Sequence, residues 1–135
     1  MDSVQIVKNH IENFQNQYLK DSVNIEVNSK LFDIYSEEDW SDSFPDATKA
    51  GVYVIFSKNM DVVYVGESVL LGKRLSDHFP GSVKSGVKLK EGYWENDPQF
   101  ILTASVSPEF FRIPLEVYLI NEINEDWTLE NVKTV

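Results

Sequence analysis

Between Gly51 and Ser57 the side chains alternate: Val52, Val54 and Phe56 hold one phase, Tyr53 and Ile55 the other. A period of two is the signature of a strand. Val62, Val63, Tyr64 and Val65 form a second β-rich run, and Lys58-Asn59-Met60-Asp61 between the two reads as a turn. An even-numbered loop over those residues pairs Ser57 with Val62, Ile55 with Tyr64 and Tyr53 with Gly66. Side chains alternate faces along a strand, so Tyr53, Ile55, Tyr64 and Gly66 share one face, with Val52, Val54, Val63 and Val65 on the other. The tyrosines become diagonal cross-strand neighbours within reach of one ligand, and Gly66 leaves space beside them. A three-residue loop would send one tyrosine to the opposite face.

A helix is predicted next, from Leu70 to Phe79, with Ser68 as its N-cap, Val69, Leu71, Leu75 and Phe79 as its apolar stripe and Pro80-Gly81 as its end. Arg74 and His78 are four residues apart and therefore lie on one face of it. Beyond a polar connector come a third strand, Phe100 to Val106, and a second helix, about Phe111 to Ile123, with Leu115, Leu119, Ile120 and Ile123 as its buried stripe. Glu116 falls at the edge of that stripe, where a carboxylate costs free energy unless it meets a cation, a metal or hydrogen-bond donors. Arg112 on the same helix is one available partner. Tyr53, Tyr64, Arg74, His78 and Glu116 are thus the candidates to converge on a ββαβα core.

Upstream, Val4, Val7, Ile11, Phe14 and Tyr18 follow a 3-4-3-4 spacing that predicts an amphipathic helix from Ser3 to Leu19. Val23 to Val27 reads as a strand. The acidic loop SEEDWSDSFPD carries Trp40 and Phe44 as aromatic anchors; it is either a solvated connector or a cover over the tyrosine face. The expected organisation is an extension, residues 1–48, packed on a domain spanning 49–135. The fold class is α/β (α+β), with a small antiparallel three-stranded sheet flanked by helices.

Composition narrows the chemistry. The chain of 135 residues is long enough for one domain with a real core, and its formal net charge is −10. That balance opposes extensive binding to a polyanion, which normally draws on clustered Lys and Arg. The charge is uneven, however. Residues 1–48 carry three Lys against ten Asp or Glu, whereas residues 72–92 carry Lys73, Arg74, Lys84, Lys88 and Lys90 against Asp77 and Glu91. A small basic island therefore surrounds Arg74 and His78. Absence of cysteine excludes disulfides and thiolate zinc sites, and His10 and His78 alone make no multi-histidine centre. GESVLLGK lacks the spacing of a phosphate-cradling nucleotide loop. The polar start and short apolar runs give neither a signal peptide nor a membrane span, and a cytoplasmic setting fits.

Over about residues 50 to 131 the sequence resembles the GIY-YIG nuclease family, which includes homing endonucleases, some restriction enzymes and the incision module of nucleotide excision repair. The first triplet stands as Gly51-Val52-Tyr53 and the second as Tyr64-Val65-Gly66. Arg74 lies eight residues beyond the second glycine, His78 one turn later, and Glu116 stands in PLEVYLI at the place of the family's metal-binding glutamate. The later asparagine is matched by Asn131, with Asn121 and Asn124 as competitors.

The resemblance implies a metal-dependent endonuclease that hydrolyses DNA phosphodiester bonds by attack of water. Glu116 would hold Mg²⁺ or Mn²⁺, hard cations that prefer oxygen ligands. Arg74 would clamp two phosphate oxygens in a fork. Tyr64 would take the proton of the attacking water with Tyr53 as its partner, and His78 would accept that proton or bind phosphate. Gly66, Lys73, Lys84, Lys88, Lys90 and Asn131 would contribute to substrate binding. Glu67, directly after the second triplet, is an extra metal contact or an exposed strand-end carboxylate. The alternative is a non-catalytic member that keeps the fold and binds a protein partner through its acidic surface.

Overall fold

β3 (Gly51–Ser57) is buried along its whole length, because it lies between two other strands and is covered on both faces. The computed structural model describes residues 2–19, 22–79, 97–127 and 129. The remaining elements are α1 (Ser3–Phe14), continued by one π-helical turn (Gln15–Leu19), β1 (Asn24–Val27), β2 (Phe32–Asp33), α2 (Glu37–Trp40), β4 (Val62–Ser68), α3 (Leu71–His78), β5 (Pro98–Ser107), a 3₁₀ turn (Glu109–Phe111) and α4 (Arg112–Ile123). The sheet is antiparallel in the order β1-β5-β3-β4, with β2 also paired to β5. The expected three strands are β3, β4 and β5. The N-terminal segment adds β1 and β2 to the outer edge of β5, so a five-stranded sheet replaces the three-stranded one. None of the described helices is long and apolar enough to cross a membrane.

Alternation along the strands separates two apolar layers. Val52, Val54, Phe56, Val62, Val65, Leu102, Ala104 and Val106 face α1 and α4, which supply Val7, Ile11, Phe14, Leu115, Leu119 and Ile123. Tyr53, Ile55, Val63 and Ile101 face the opposite way, towards Leu71, Leu75, Phe79, Phe32, Ile34 and Phe44. The predicted pairings of Ile55 with Tyr64 and Tyr53 with Gly66 are present. A bulge after Ile55 then pairs Phe56, not Ser57, with Val62. The extra residue turns Val63 onto the tyrosine side and leaves Val62 on the helix side, reversing the face expected for Val63.

The ends of the helices differ from the sequence expectation in ways that matter for the site. α1 is capped by Asp2, whose side chain accepts the Gln5 amide at 2.8 Å. Its stripe runs through Val7, Ile11 and Phe14, and the wider π turn then takes Tyr18 off it, leaving that side chain 60% exposed. Ser68 does not cap α3. Its hydroxyl instead accepts the Leu70 amide at 3.0 Å in a local turn, and Val69 stands 48% exposed rather than on the buried stripe. The first amides of α3 are met from outside the helix: Leu71 N–H donates to the Lys49 carbonyl at 3.0 Å and Gly72 N–H to that of Ala47 at 2.9 Å. The Trp40–Phe44 segment is anchored by ring contacts of Phe32, Trp40 and Phe44 with one another. The chain just after the acidic loop therefore fixes where α3, with Arg74 and His78, begins.

Candidate active site

Tyr53 sits in the middle of the sheet and is 1% exposed. Its cross-strand neighbours are Gly66 on β4 and Thr103 on β5. A Cβ at Gly66 would lie 2.3 Å from both Cζ and Oη of Tyr53, so the glycine does not leave an empty space. The tyrosine ring fills it. Thr103, fully buried, donates its hydroxyl to the Asp46 carboxylate at 2.8 Å and so satisfies a polar group on the same face.

The remaining members of the cluster come from β4 and α3. Tyr64 stacks on Tyr53 with ring centroids 6.0 Å apart and planes 13° from parallel. His78, 2% exposed, lies in edge-type contact with both rings and shares a 2.8 Å hydrogen bond between its Nε2 and the Tyr53 hydroxyl. Burial, and next the neighbouring Tyr64 phenol, push the Tyr53 phenol well above its ordinary range, while the charge and hydrogen bonding of Arg74 pull the other way. Burial works against the Arg74 cation, but the Tyr53 and Tyr64 oxygens outweigh it and hold the guanidinium more firmly charged. Tyr64 is only half-buried and is the phenol of the pair that reaches solvent. The structure thus brings Tyr53, Tyr64, Arg74 and His78 together over Gly66. Lys73, one position from Arg74, helps instead to line a cleft with Trp40, Asp42, Phe44 and Ser76. Lys84, Lys88, Lys90 and Asn131 lie outside the described residues.

Glu116 belongs to a second group on the other side of β4. Gly66 and Tyr64 face the tyrosine layer, whereas Glu67, paired with Val52, faces α4. Tyr64 and Glu67 are three positions apart along β4, a span of about 10 Å. Arg112 Nε meets Glu67 Oε2 at 2.6 Å, as charges in contact rather than as a well-directed hydrogen bond. Its Nη1 donates to the Glu109 carbonyl at 2.9 Å. Arg112 therefore serves Glu67 and not Glu116. Burial, and then the charge of Glu67, raise the pKa of Glu116, and among the described residues neither a cation nor a donor engages its carboxylate. The sequence carried no sign of the Thr103–Asp46 bond. For Arg112 it offered a partner only on its own helix.

A carboxyl group whose pKa is higher folded than unfolded binds its proton more readily in the folded state. Stability therefore falls as pH rises from the unfolded group's pKa through the higher folded one. Glu116→Gln is accordingly expected to raise stability at pH 7, by less than about 1 kcal/mol because the group is half exposed. The gain should vanish in acid, which thermal melts of both proteins at the two pH values would check.

A family model for the GIY-YIG catalytic domain matches residues 49–130, and the chain belongs to that family of nucleases. No curated protein and no solved structure matches it.

Proposed function

We propose that the protein is a metal-dependent endonuclease that hydrolyses phosphodiester bonds in DNA. One observation carries this more than any other: a charged guanidinium shared by two stacked phenols, one sealed in the core and held by a histidine, the other half-buried. A packing patch has no need of a buried Tyr–His bond and a half-buried cation beside it. Phosphate-ester chemistry uses each part.

Tyr64 would take the proton from the attacking water at its phenolate oxygen. Arg74 would draw two non-bridging phosphate oxygens into its fork. Tyr53 and His78 lock each other and so fix the ring on which Tyr64 stacks; in this arrangement His78 positions rather than relays. Glu116 suits a hard divalent cation, Mg²⁺ or Mn²⁺, because its oxygens are partly desolvated, lie beside a second carboxylate and have no cationic partner among the described residues. Among those residues no three carboxylate or imidazole groups converge on one point, so such an ion would keep several waters. When bound it would offset charge on the scissile phosphate and leaving oxygen. The net charge of −10 predicts weak, strongly salt-dependent association with nucleic acid.

The test is cleavage of supercoiled, linear and branched DNA, and of RNA, at low salt with Mg²⁺ or Mn²⁺. Cleavage by the wild type that falls at least about 10²-fold in both Glu116→Ala and Arg74→Ala is the expected result. Cleavage unchanged in both would mark a contaminant. No cleavage by folded protein on any substrate would favour an acidic protein-binding module built on the same fold.

A further inference from the structure

Arg112 and Glu116 are one turn apart on α4, the spacing at which opposite charges on a helix ordinarily meet. The structure departs from that default. The guanidinium is held at two points away from Glu116: Nε against Glu67 Oε2 at 2.6 Å, and Nη1 on the Glu109 carbonyl at 2.9 Å. One anchor is on β4 and the other is in the turn that leads into α4. Glu67 directly follows the second triplet, so the strand that carries Tyr64 and Gly66 also carries the carboxylate that engages Arg112.

We infer that Glu67 is a positioning residue that diverts Arg112 from Glu116 and so keeps the Glu116 carboxylate open to a divalent cation. This rests on the reading of Glu116 as the cation-holding residue.

The geometry supports the role from both sides. Without Glu67, the carboxylates within a helical turn of Arg112 are Glu109 and Glu116, and an arginine–carboxylate pair with Glu116 would occupy the oxygens a cation needs. With Glu67 in place, the guanidinium is engaged by β4 rather than by Glu116, although the Glu67 charge is itself still felt at Glu116. A carboxylate at position 67 thus acts through Arg112 and needs no bond to the metal. An amide there could accept a hydrogen bond but could not match the charge, and the tether on α4 would then favour Glu116.

The experiment is Mn²⁺ titration of the full chain, followed by the loss of the free-ion electron paramagnetic resonance signal and by calorimetry. The proteins compared are wild type, Glu116→Ala, Glu67→Gln, Arg112→Gln and the Glu67→Gln/Arg112→Gln double variant. Glu67→Gln is expected to weaken Mn²⁺ binding about tenfold, a little over one close charge pair in partly exposed surroundings. The double variant should recover wild-type affinity, and Arg112→Gln alone should bind at least as tightly as wild type. Glu67→Asp, with a shorter reach to Arg112, should fall between wild type and Glu67→Gln, and it serves if the glutamine variant fails to fold. Unchanged binding in Glu67→Gln overturns the inference. So does a loss that Arg112→Gln does not restore, which would make Glu67 a direct ligand. Equal binding by wild type and Glu116→Ala would instead remove the parent reading of Glu116, an outcome distinct from either.

Discussion

Tyr64→Phe is expected to lower cleavage by about 10²–10⁴-fold, the range associated with removing a general base, while leaving the fold intact. Tyr53→Phe removes the same single oxygen and should behave differently. The Tyr53 hydroxyl is sealed in the sheet and bonded at 2.8 Å to His78 Nε2. Its loss leaves a buried ring nitrogen without that partner, at a cost of about 1–3 kcal/mol. The rate should fall less, through loosening of the stack on which Tyr64 rests. The contrast follows from exposure. Water reaches the half-buried Tyr64 ring, whereas the Tyr53 phenol is both enclosed and pushed above its ordinary pKa by burial. Urea denaturation and single-turnover cleavage on the two variants separate the effects. A larger rate loss in Tyr53→Phe, with stability unchanged, would transfer the role of base to Tyr53.

Gly51→Ala is expected to be the most destabilising of the glycine-to-alanine changes among the described residues, at roughly 3 kcal/mol or more out of the 5–15 kcal/mol typical of a domain. A Cβ there would stand 2.0 Å from the Ala104 carbonyl oxygen and 2.9 Å from its carbon, both backbone atoms of the adjoining strand. No side chain can move to relieve that contact, so β3 and β5 must part where Gly51 faces Ser105 and Val52 faces Ala104. Gly66→Ala meets the Tyr53 ring instead, and Gly72→Ala meets Ala47, with its Cβ 2.7 Å away. The ring is held by His78 and is the closer contact, whereas the Cβ at Gly72 meets Ala47 at the longer distance. The expected order of damage is therefore Gly51, then Gly66, then Gly72, read from denaturation midpoints. Gly66→Ala should in addition disturb the Tyr53–His78 bond and lower cleavage. A Gly51→Ala protein as stable as wild type would show that β3 and β5 are less closely apposed than described.

The two glycines of the paired triplets thus have different physical reasons. Gly51 admits a neighbouring backbone and Gly66 admits a neighbouring ring. Neither reason is visible in the local pattern, which offered Gly66 only as free space.

What the sequence by itself determined was everything set by local periodicity. The alternation from Val52 to Phe56 put Tyr53 and Ile55 on one face and the valines on the other, and the four-residue interval put Arg74 and His78 on one side of α3. The spacing of Leu115, Leu119 and Ile123 buried one side of α4. Such features repeat within a few residues and depend little on the rest of the chain. Tertiary structure decided the choices among partners. The bulge sent Val63 to the tyrosine face, and the N-terminal segment joined the sheet at β5. His78 bonded Tyr53, and Arg112 turned from its helical neighbour Glu116 to Glu67 on another element. Apart from the bulge within the hairpin, each of these compares free energies between segments far apart in sequence, where burial and charge are fixed only after the layers have packed.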